Sequence, residues 1–396
     1  MPATNTPKAG TSETGTSETG TSETGMSQTG TSQTGMSQTG MSATGTSQTG
    51  MSASGTSTPD MSRLLAEAAK RLAEGRLVAF PTETVYGLGA DAENPQAIAR
   101  MYAAKGRPAD HPVIVHVAPE ADLSYWTGEL SHEAQALVQA FWPGPLTLIV
   151  PRAPHVSAAV SGGQDSVGLR CPSHPIAQAL LREFARLKPH GQGGVAAPSA
   201  NKFGQVSPTH AEHVRAEFPE LDDTELMILE GGPSQVGIES TIIDVSRVSQ
   251  GVGPVLLRPG HISSAQLAEV LGVEPLRPDA AAPRVSGSLK AHYAPRTPLA
   301  VLPLDELLAL AAQPGAGRSA AVTFGPKPDT APSGVDWLQC PSDPARYAHD
   351  LYALLRRLDG QGYARILMEQ PPRSAAWQAV NDRLGRAAAA FVKDAG

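Results

Sequence analysis

A five-residue phrase, Thr/Met-Ser-x-Thr-Gly, recurs almost without interruption from Thr11 to about Gly55 and sets the first limit on what can fold. Apart from methionine it offers almost nothing apolar, and neither strand nor helix periodicity runs through it. A chain of this kind cannot offset the entropy lost on ordering, so residues 1–60 are expected to form a disordered tail. The repeat is far too short for a solenoid unit, and no apolar stretch follows Lys8 as a secretory leader would need. Met61, just before a clean helix start, is a candidate translation start. A repeat-derived peptide in the mass spectrum of the native protein would exclude it.

Residues 61–396 are enough for two ordinary domains. The chain has 31 Lys and Arg against 38 Asp and Glu, so no basic field exists for tight, sequence-independent nucleic-acid binding. Its two cysteines, Cys171 and Cys340, stand far apart with no CxxC. That argues against a disulfide scaffold or a zinc site and suits a reducing cytoplasm. No apolar run approaches membrane-spanning length. The expectation is a soluble, cytoplasmic protein without a membrane partner.

Leu64, Leu65, Ala68, Ala69 and Leu72 share one face of a helix that Ser62 would cap and Gly75 would stop. The apolar run 77–80 then reads as a buried strand, ended by Pro81 and followed by Thr82, Glu83 and Thr84. Gly87 and Gly89 would let the backbone turn tightly or approach a ligand. A second helix, from about 95 to 104, delivers Lys105 and Arg107, pinned by Gly106 and Pro108. A hydroxyl-rich turn beside a fixed cationic pair suits a small polar substrate next to a phosphate chain. The same residues also fit a plain strand, turn and solvated basic corner.

Residues 112–117 read as an interior strand. His111 and His116 bracket it five apart, on opposite faces, so they cannot share a metal. His116 taken alone reads as a satisfied, half-buried histidine. Ser131 opens a helix to Trp142, 146–150 is a strand, and 166–170 is a strand ending in Arg170. An arginine there can take a carboxylate in a bidentate fork, or simply lie at the surface. After a helix over 175–186 comes Val195-Ala-Ala-Pro-Ser-Ala-Asn-Lys202. Ser199 and Lys202 spell SxxK, but its SDN and KTG partners are missing, so that nucleophile reading is rejected. Ser199 and Asn201 look instead like hydrogen-bond donors to phosphate or adenine. Thr209 would cap a helix from 210 to 218 whose N-terminus favours an anion. Strands follow at 226–230, at 242–245 after Ser240 and Thr241, and before Arg258. Strand-end cations Lys105, Arg107, Arg170 and Arg258 converging on one cavity are what a nucleoside triphosphate would require.

Taken in order, the blocks at 80–91, 105–112, 166–170, 195–209, 231–241 and 253–260 resemble the YrdC-type threonylcarbamoyl-AMP synthase family over residues 64–272. The remainder resembles the extra domain of that family's two-domain, SUA-type members. Leu289-Lys-Ala-His-Tyr-Ala-Pro295 matches their linker, and Asn381-Asp-Arg383 their last helix. The resemblance implies a YrdC-like twisted mixed sheet with helices over 61–273, a linker or lid over 274–297, and a small Rossmann-like parallel α/β domain over 298–396. Alternating strands and helices after Pro298 independently predict a doubly wound parallel sheet. It has no phosphate-binding glycine motif of its own. Asn381-Asp-Arg383 is expected to pack or to face a partner.

The implied reaction is that of an ATP-dependent nucleotidyltransferase: L-threonine, bicarbonate and ATP become threonylcarbamoyl-AMP and pyrophosphate, feeding the threonylcarbamoyladenosine modification of tRNA. By the resemblance, Thr84, His116, Arg170, Ala197 and Ser240 bind threonine with Thr82 in support. Lys105, Arg107, His111, Ser166, Ser199, Asn201, Ser207, Arg258 and Tyr293 contact ATP, Lys105 and Arg107 serving catalysis. Mg2+ is expected to arrive with ATP, since no carboxylate cluster makes a dedicated cage. No tightly bound organic cofactor is expected, and the product would go to a downstream tRNA threonylcarbamoyl-transfer machinery. The alternative is a non-catalytic RNA-binding module, opposed by the lack of basic tracts and interleaved aromatics, with weak RNA binding at most. Carbamoyl transfer in metal-centre maturation would need CxxC zinc modules that two lone cysteines cannot build.

Overall fold

Side chains alternate across a strand, and that alternation decides which residues enter the core and which face the site. The computed structural model describes residues 58–128, 130–313, 317–329 and 331–392, so the repeat tail lies outside the described residues. A nine-stranded mixed sheet comprises β1 (Leu77–Phe80), β2 (Gly87–Asp91), β3 (Ile114–His116), β4 (Leu146–Pro151), β5 (Ser166–Arg170), β6 (Val195–Ala196), β7 (Leu226–Ile228), β8 (Thr241–Asp244) and β9 (Val255–Arg258). Their order is β7-β1-β2-β6-β3-β5-β4-β8-β9. The pairs β1–β7, β3–β5 and β4–β8 are parallel and the others antiparallel.

Ala79, Leu88, Val115, Leu148, Leu169 and Ala196 point to one face, where Ile98 and Met101 of helix Pro95–Lys105 complete the core. Val78, Phe80, Val195 and Ala197 point to the other, against helices Thr58–Ala73 and Pro175–Arg186. Farther along that second face, linker residues Val285, Ser286 and His292 share cavities with Ile114, His116, Gly168 and Arg170, and Val285 packs on Ile149, Ile242, Val255 and Leu257.

A second, wholly parallel sheet has the order β10 (Leu299–Leu302), β13 (Arg365–Glu369), β11 (Ser319–Thr323), β12 (Val335–Gln339). Leu307 and Ala311 of helix Leu304–Ala311 pack on Ala321 and Leu367. The opposite face, with Ala320, Val322, Ile366 and Met368, carries helices Pro344–Asp359 and Gln378–Ala389. Val85, Val206, Ile238 and Tyr293 belong to this same cluster, so its apolar core crosses the linker into the first sheet's territory. The described residues belong to one compact unit. Among them, no helix is long and apolar enough to cross a membrane.

Three local expectations are corrected. The first helix starts at Thr58, with Asp60 in its first turn complementing the helix dipole, so Ser62 sits inside it and Met61 follows its start. Gly87 and Gly89 lie within β2 rather than in a turn. A Cβ on Gly89 would stand 2.8 Å from the Val78 carbonyl oxygen, and one on Gly87 3.1 Å from Ala197 Cβ. Both serve close strand approach, and Gly87 also lines the cavity described below. Thr209 caps nothing: helix Ala211–Glu217 follows His210 without a side-chain cap, and the Thr209 hydroxyl pairs with His210 Nδ1 at 3.1 Å. A 3-10 turn, Ala375–Trp377, buries Trp377 and leads into the last helix, Gln378–Ala389.

Candidate active site beneath the linker

Strand ends and the turns after them build the site, because a strand's last residues leave the ladder while its body holds them in register. Pro81 ends β1, and the Thr82 hydroxyl closes the turn that follows. It donates to the Val85 carbonyl (2.6 Å), accepts from the Thr84 and Val85 amides (3.2 and 3.3 Å), and lies 2.9 Å from the Thr84 hydroxyl. At the end of β5, Arg170 Nη2 donates to Glu83 Oε1 at 2.7 Å, and Glu83 Oε2 accepts from the Ser173 amide at 3.1 Å. Both side chains are about 95% shielded from solvent, with 5% and 4% exposure. A buried guanidinium thus has a fixed carboxylate on one side.

One cavity is lined by Thr82, Thr84, His116, Arg170, Ala197, Ser199, Ser240, Arg258 and Tyr293, with Glu239, Ser286 and His292. Its free space is about 30 Å³, room for ordered water. Ser240 Oγ lies 2.8 Å from Thr147 Oγ1 and accepts from Arg258 Nη2 at 3.1 Å. Arg258 also donates to the Ser240 carbonyl from Nε (3.0 Å) and Nη2 (2.8 Å), and from Nη1 to the Ser286 carbonyl (2.9 Å). Burial, then the neighbouring Arg170 charge, hold His116 down at about 3, so its ring is neutral.

Arg107 and His111 line an adjoining cavity with Phe203, Arg284 and His292, and Ser166 lines a third with Arg284 and Ser286. Arg107 donates to the Pro112 carbonyl at 2.6 Å and to Ser286 Oγ at 3.5 Å, so Arg107 and Arg258 meet at one linker serine. His111 packs edge-on against Phe203 at 5.3 Å, and burial followed by the Arg107 charge lowers its pKa.

Three expected site residues lie behind these walls instead. Lys105, the last residue of its helix, donates from Nζ to the Ser199 carbonyl (2.6 Å) and to the Asn201 carbonyl. Burial, then Arg107, hold its pKa well below the usual lysine range. Asn201 Nδ2 donates to the Lys202 and Gln205 carbonyls at 2.8 and 2.9 Å. Ser207, wholly buried, donates to Glu239 Oε1 at 2.5 Å. These three shape the loop after β6; they do not front the cavity.

Tyr293 adopts φ 63°, a left-handed conformation that costs a non-glycine residue about 1–3 kcal/mol. Its neighbours fix it: the His292 amide donates to the Arg386 carbonyl (3.2 Å) and the Ala294 amide to the Gly204 carbonyl (2.9 Å). The ring lies under the Arg383 guanidinium at 5.4 Å. Arg107 Nε, His116 Nδ1, Asn201 Oδ1, His292 Nδ1 and the Tyr293 hydroxyl are buried without a hydrogen-bond partner among the described residues. Buried polar atoms are normally satisfied, so these five, which lie in and around three adjoining cavities, are available to a polar ligand there.

Two acids and an arginine escaped sequence reasoning as site components. Glu83 anchors Arg170, and Glu239 neighbours Ser240 while taking hydrogen bonds from Arg383 Nε (2.8 Å) and the Tyr352 hydroxyl (2.9 Å). The signals were a carboxylate between two threonines at a strand end, and an arginine on the otherwise apolar helix face of Val380, Leu384 and Ala387.

Comparison with known proteins follows the same division of the chain. Residues 70–260 match the Sua5/YciO/YrdC family, described as "Telomere recombination", and residues 262–389 match "Threonylcarbamoyl-AMP synthase, C-terminal domain". The threonylcarbamoyl-AMP synthase of Bacillus subtilis is 38% identical over 83% of this chain and 94% of its own. That of Pyrococcus abyssi is 41% identical over 59% and 66%. The crystal structure of P. abyssi Sua5 with L-threonine superposes with TM-score 0.71 at 35% identity, covering 83% of this chain and 94% of that one. With both family regions, the full-length relatives and the two-part fold in agreement, the chain belongs to the two-domain threonylcarbamoyl-AMP synthase family.

Proposed function

We propose that this chain makes threonylcarbamoyl-AMP and pyrophosphate from L-threonine, bicarbonate and ATP. The observation that carries this reading is a polar recess of Arg170, Thr84, His116 and Ser240 opening beside Arg258, with Arg107 reaching the same linker serine. The first group suits an amino-acid carboxylate and hydroxyl, the second a polyphosphate. Arg170 takes the threonine carboxylate, with Thr84, His116, Ala197 and Ser240 around the rest of the molecule. Arg107, His111, Ser166, Ser199, Arg258 and Tyr293 meet ATP. Lys105, Asn201 and Ser207 act by holding the loop that presents Ser199.

Threonine's amine adds to bicarbonate carbon, and water leaves with one amine proton and the departing hydroxide, giving the carbamate. A carbamate oxygen then bonds to the α-phosphorus, the bond from that phosphorus to the bridging oxygen breaks, and pyrophosphate departs. No protein nucleophile is consumed, so catalysis is positioning and charge stabilisation, to which Arg107 and Arg258 contribute. His116, neutral with its pKa at about 3, can accept a hydrogen bond from the amine but cannot keep its proton. ATP enters as its magnesium complex. The described residues gather no metal-binding cluster of three His, Cys, Asp or Glu, and Glu239, the carboxylate lining the cavity, is already engaged. Ser286, His292 and Tyr293 of the linker line the cavity, so the linker acts as a lid over the bound substrates. The product passes to a tRNA threonylcarbamoyl-transfer machinery in the cytoplasm.

The test is ATP consumption by the purified chain with bicarbonate, with L-threonine omitted and then restored, and products read by mass spectrometry. Threonine-dependent pyrophosphate together with the adenylate mass is the expected result. Turnover independent of threonine, or none, with RNA retained at low salt, would overturn the reading in favour of a binding module.

A further inference from the structure

Helix Gln378–Ala389 belongs to the C-terminal sheet, yet its polar residues grip the substrate site. Arg383 is wholly buried and reaches three points of the first domain. Its Nε donates to Glu239 Oε2 (2.8 Å), its Nη1 to the Pro259 carbonyl (3.0 Å) and its Nη2 to the Glu239 carbonyl (3.3 Å). Glu239 precedes Ser240, and Pro259 follows Arg258, so one guanidinium joins the two backbone segments that carry these cavity residues. The Tyr352 hydroxyl, from helix Pro344–Asp359, donates to Glu239 Oε2 as well, and Ser207 holds its other oxygen. One turn farther on, Arg386 donates from Nη1 to the Leu289 carbonyl and accepts from the His292 amide through its own carbonyl.

We propose that Arg383, acting through Glu239, is a positioning residue by which the C-terminal domain sets the spacing of Ser240, Arg258 and the linker. The inference rests on the proposed function only for its kinetic consequence; the tie itself is a statement about structure. A hydrogen bond to a charged group is worth enough to shift affinity by roughly tenfold or more, so losing one from this cluster should loosen the site measurably. Burial alone pushes the Glu239 carboxyl up, and the Arg383 and Arg258 charges with the Ser207 and Arg383 hydrogen bonds outweigh it, holding it at about 2. The carboxylate is therefore charged whenever the enzyme works.

The experiment uses the full chain and two graded variants. Tyr352→Phe removes one donor and leaves the ion pair; Arg383→Lys keeps the charge and loses the planar fork that spans three acceptors. Hydrogen exchange is followed in residues 238–242, 257–260 and 286–294, and threonine-dependent pyrophosphate release is fitted for KM and kcat. Expected are faster exchange in these segments and a KM for threonine or ATP raised roughly threefold in Tyr352→Phe and tenfold or more in Arg383→Lys, with kcat falling less. Unchanged exchange and KM in folded Tyr352→Phe and Arg383→Lys would overturn the proposal, and so would a lower melting temperature with KM unmoved. An inactive wild type would refute the reaction instead, and the exchange result would then decide the tie alone.

Discussion

Arg170 and Glu83 illustrate how a binding group is held ready. A buried guanidinium is costly without a partner, and Glu83 supplies one at 2.7 Å. Arg170→Ala should therefore do two separable things. It should weaken threonine binding by about 2–5 kcal/mol, read by calorimetric titration, and it should destabilise the fold by about 3–5 kcal/mol by leaving Glu83 buried and unpaired. Adding Glu83→Gln should recover stability and leave affinity low. Unchanged threonine affinity in either variant would sink the role assigned to Arg170. The arginine itself was readable from its place at the end of a strand pattern. Its partner was not, because 87 positions separate the two and only the sheet brings β1 and β5 to one site.

At the scale of elements, the linker depends on a glycine. Gly287 has φ 77°, and a Cβ there would collide with the Tyr293 hydroxyl, so the segment can fold back over Tyr293 only without a side chain. Gly287→Ala should cost the covered state about 1–3 kcal/mol. The measurable outcomes are weaker ATP binding by titration and faster protease cleavage between residues 284 and 294, with the melting temperature nearly unmoved. Normal ATP affinity would remove the lid role from this stretch. A linker over 274–297 was implied by the resemblance that Leu289–Pro295 carries. Its burial under Arg383 and beside Tyr352 was not, since no local pattern encodes a contact with a distant helix.

The molecule as a whole is one mechanical object, although its sequence reads as two domains. Val85, Val206, Ile238 and Tyr293 share a core with the second sheet, and Arg356 pairs with Glu217 at 3.0 Å across the same boundary. A chain ending at residue 297 should expose this apolar surface and leave Glu239 without Arg383 and Tyr352. Expected are aggregation or a strongly lowered melting temperature, and lost activity; full activity of the shortened chain would disprove the dependence. Acid should weaken the whole fold by a defined route. His116 and His292 sit at about 3 in the folded state against an ordinary 6.5, burial being the leading cause for both. Below pH 6.5 the unfolded chain takes up protons that the folded one refuses, so the stability present above 6.5 is lost as pH falls toward 3, at roughly 1.4 kcal/mol per pH unit for each histidine. Glu239, at about 2 against 4.5, adds a further loss between those values. Melting temperature plotted against pH should fall from about pH 6.5, and the double change His116→Gln, His292→Gln should make that upper limb shallower, with His213, which burial holds at about 4, keeping part of it. A flat wild-type profile down to pH 4.5 would contradict the buried neutral rings.

Local sequence by itself determined the strands with continuous apolar runs, the helices with one apolar face, the parallel character of the second sheet and the family to which the ordered motifs point. Hydrophobic period and turn chemistry are short-range properties, so they survive in a one-dimensional reading. Only the tertiary structure decided that Gly87 and Gly89 lie within a strand, that Lys105, Asn201 and Ser207 bond to the loop after β6 and to Glu239, that Glu83 holds Arg170, and that Arg383 meets Glu239. Each of these depends on which strand end meets which, and a buried charge shows its purpose only when its partner, distant along the chain, comes within hydrogen-bond reach.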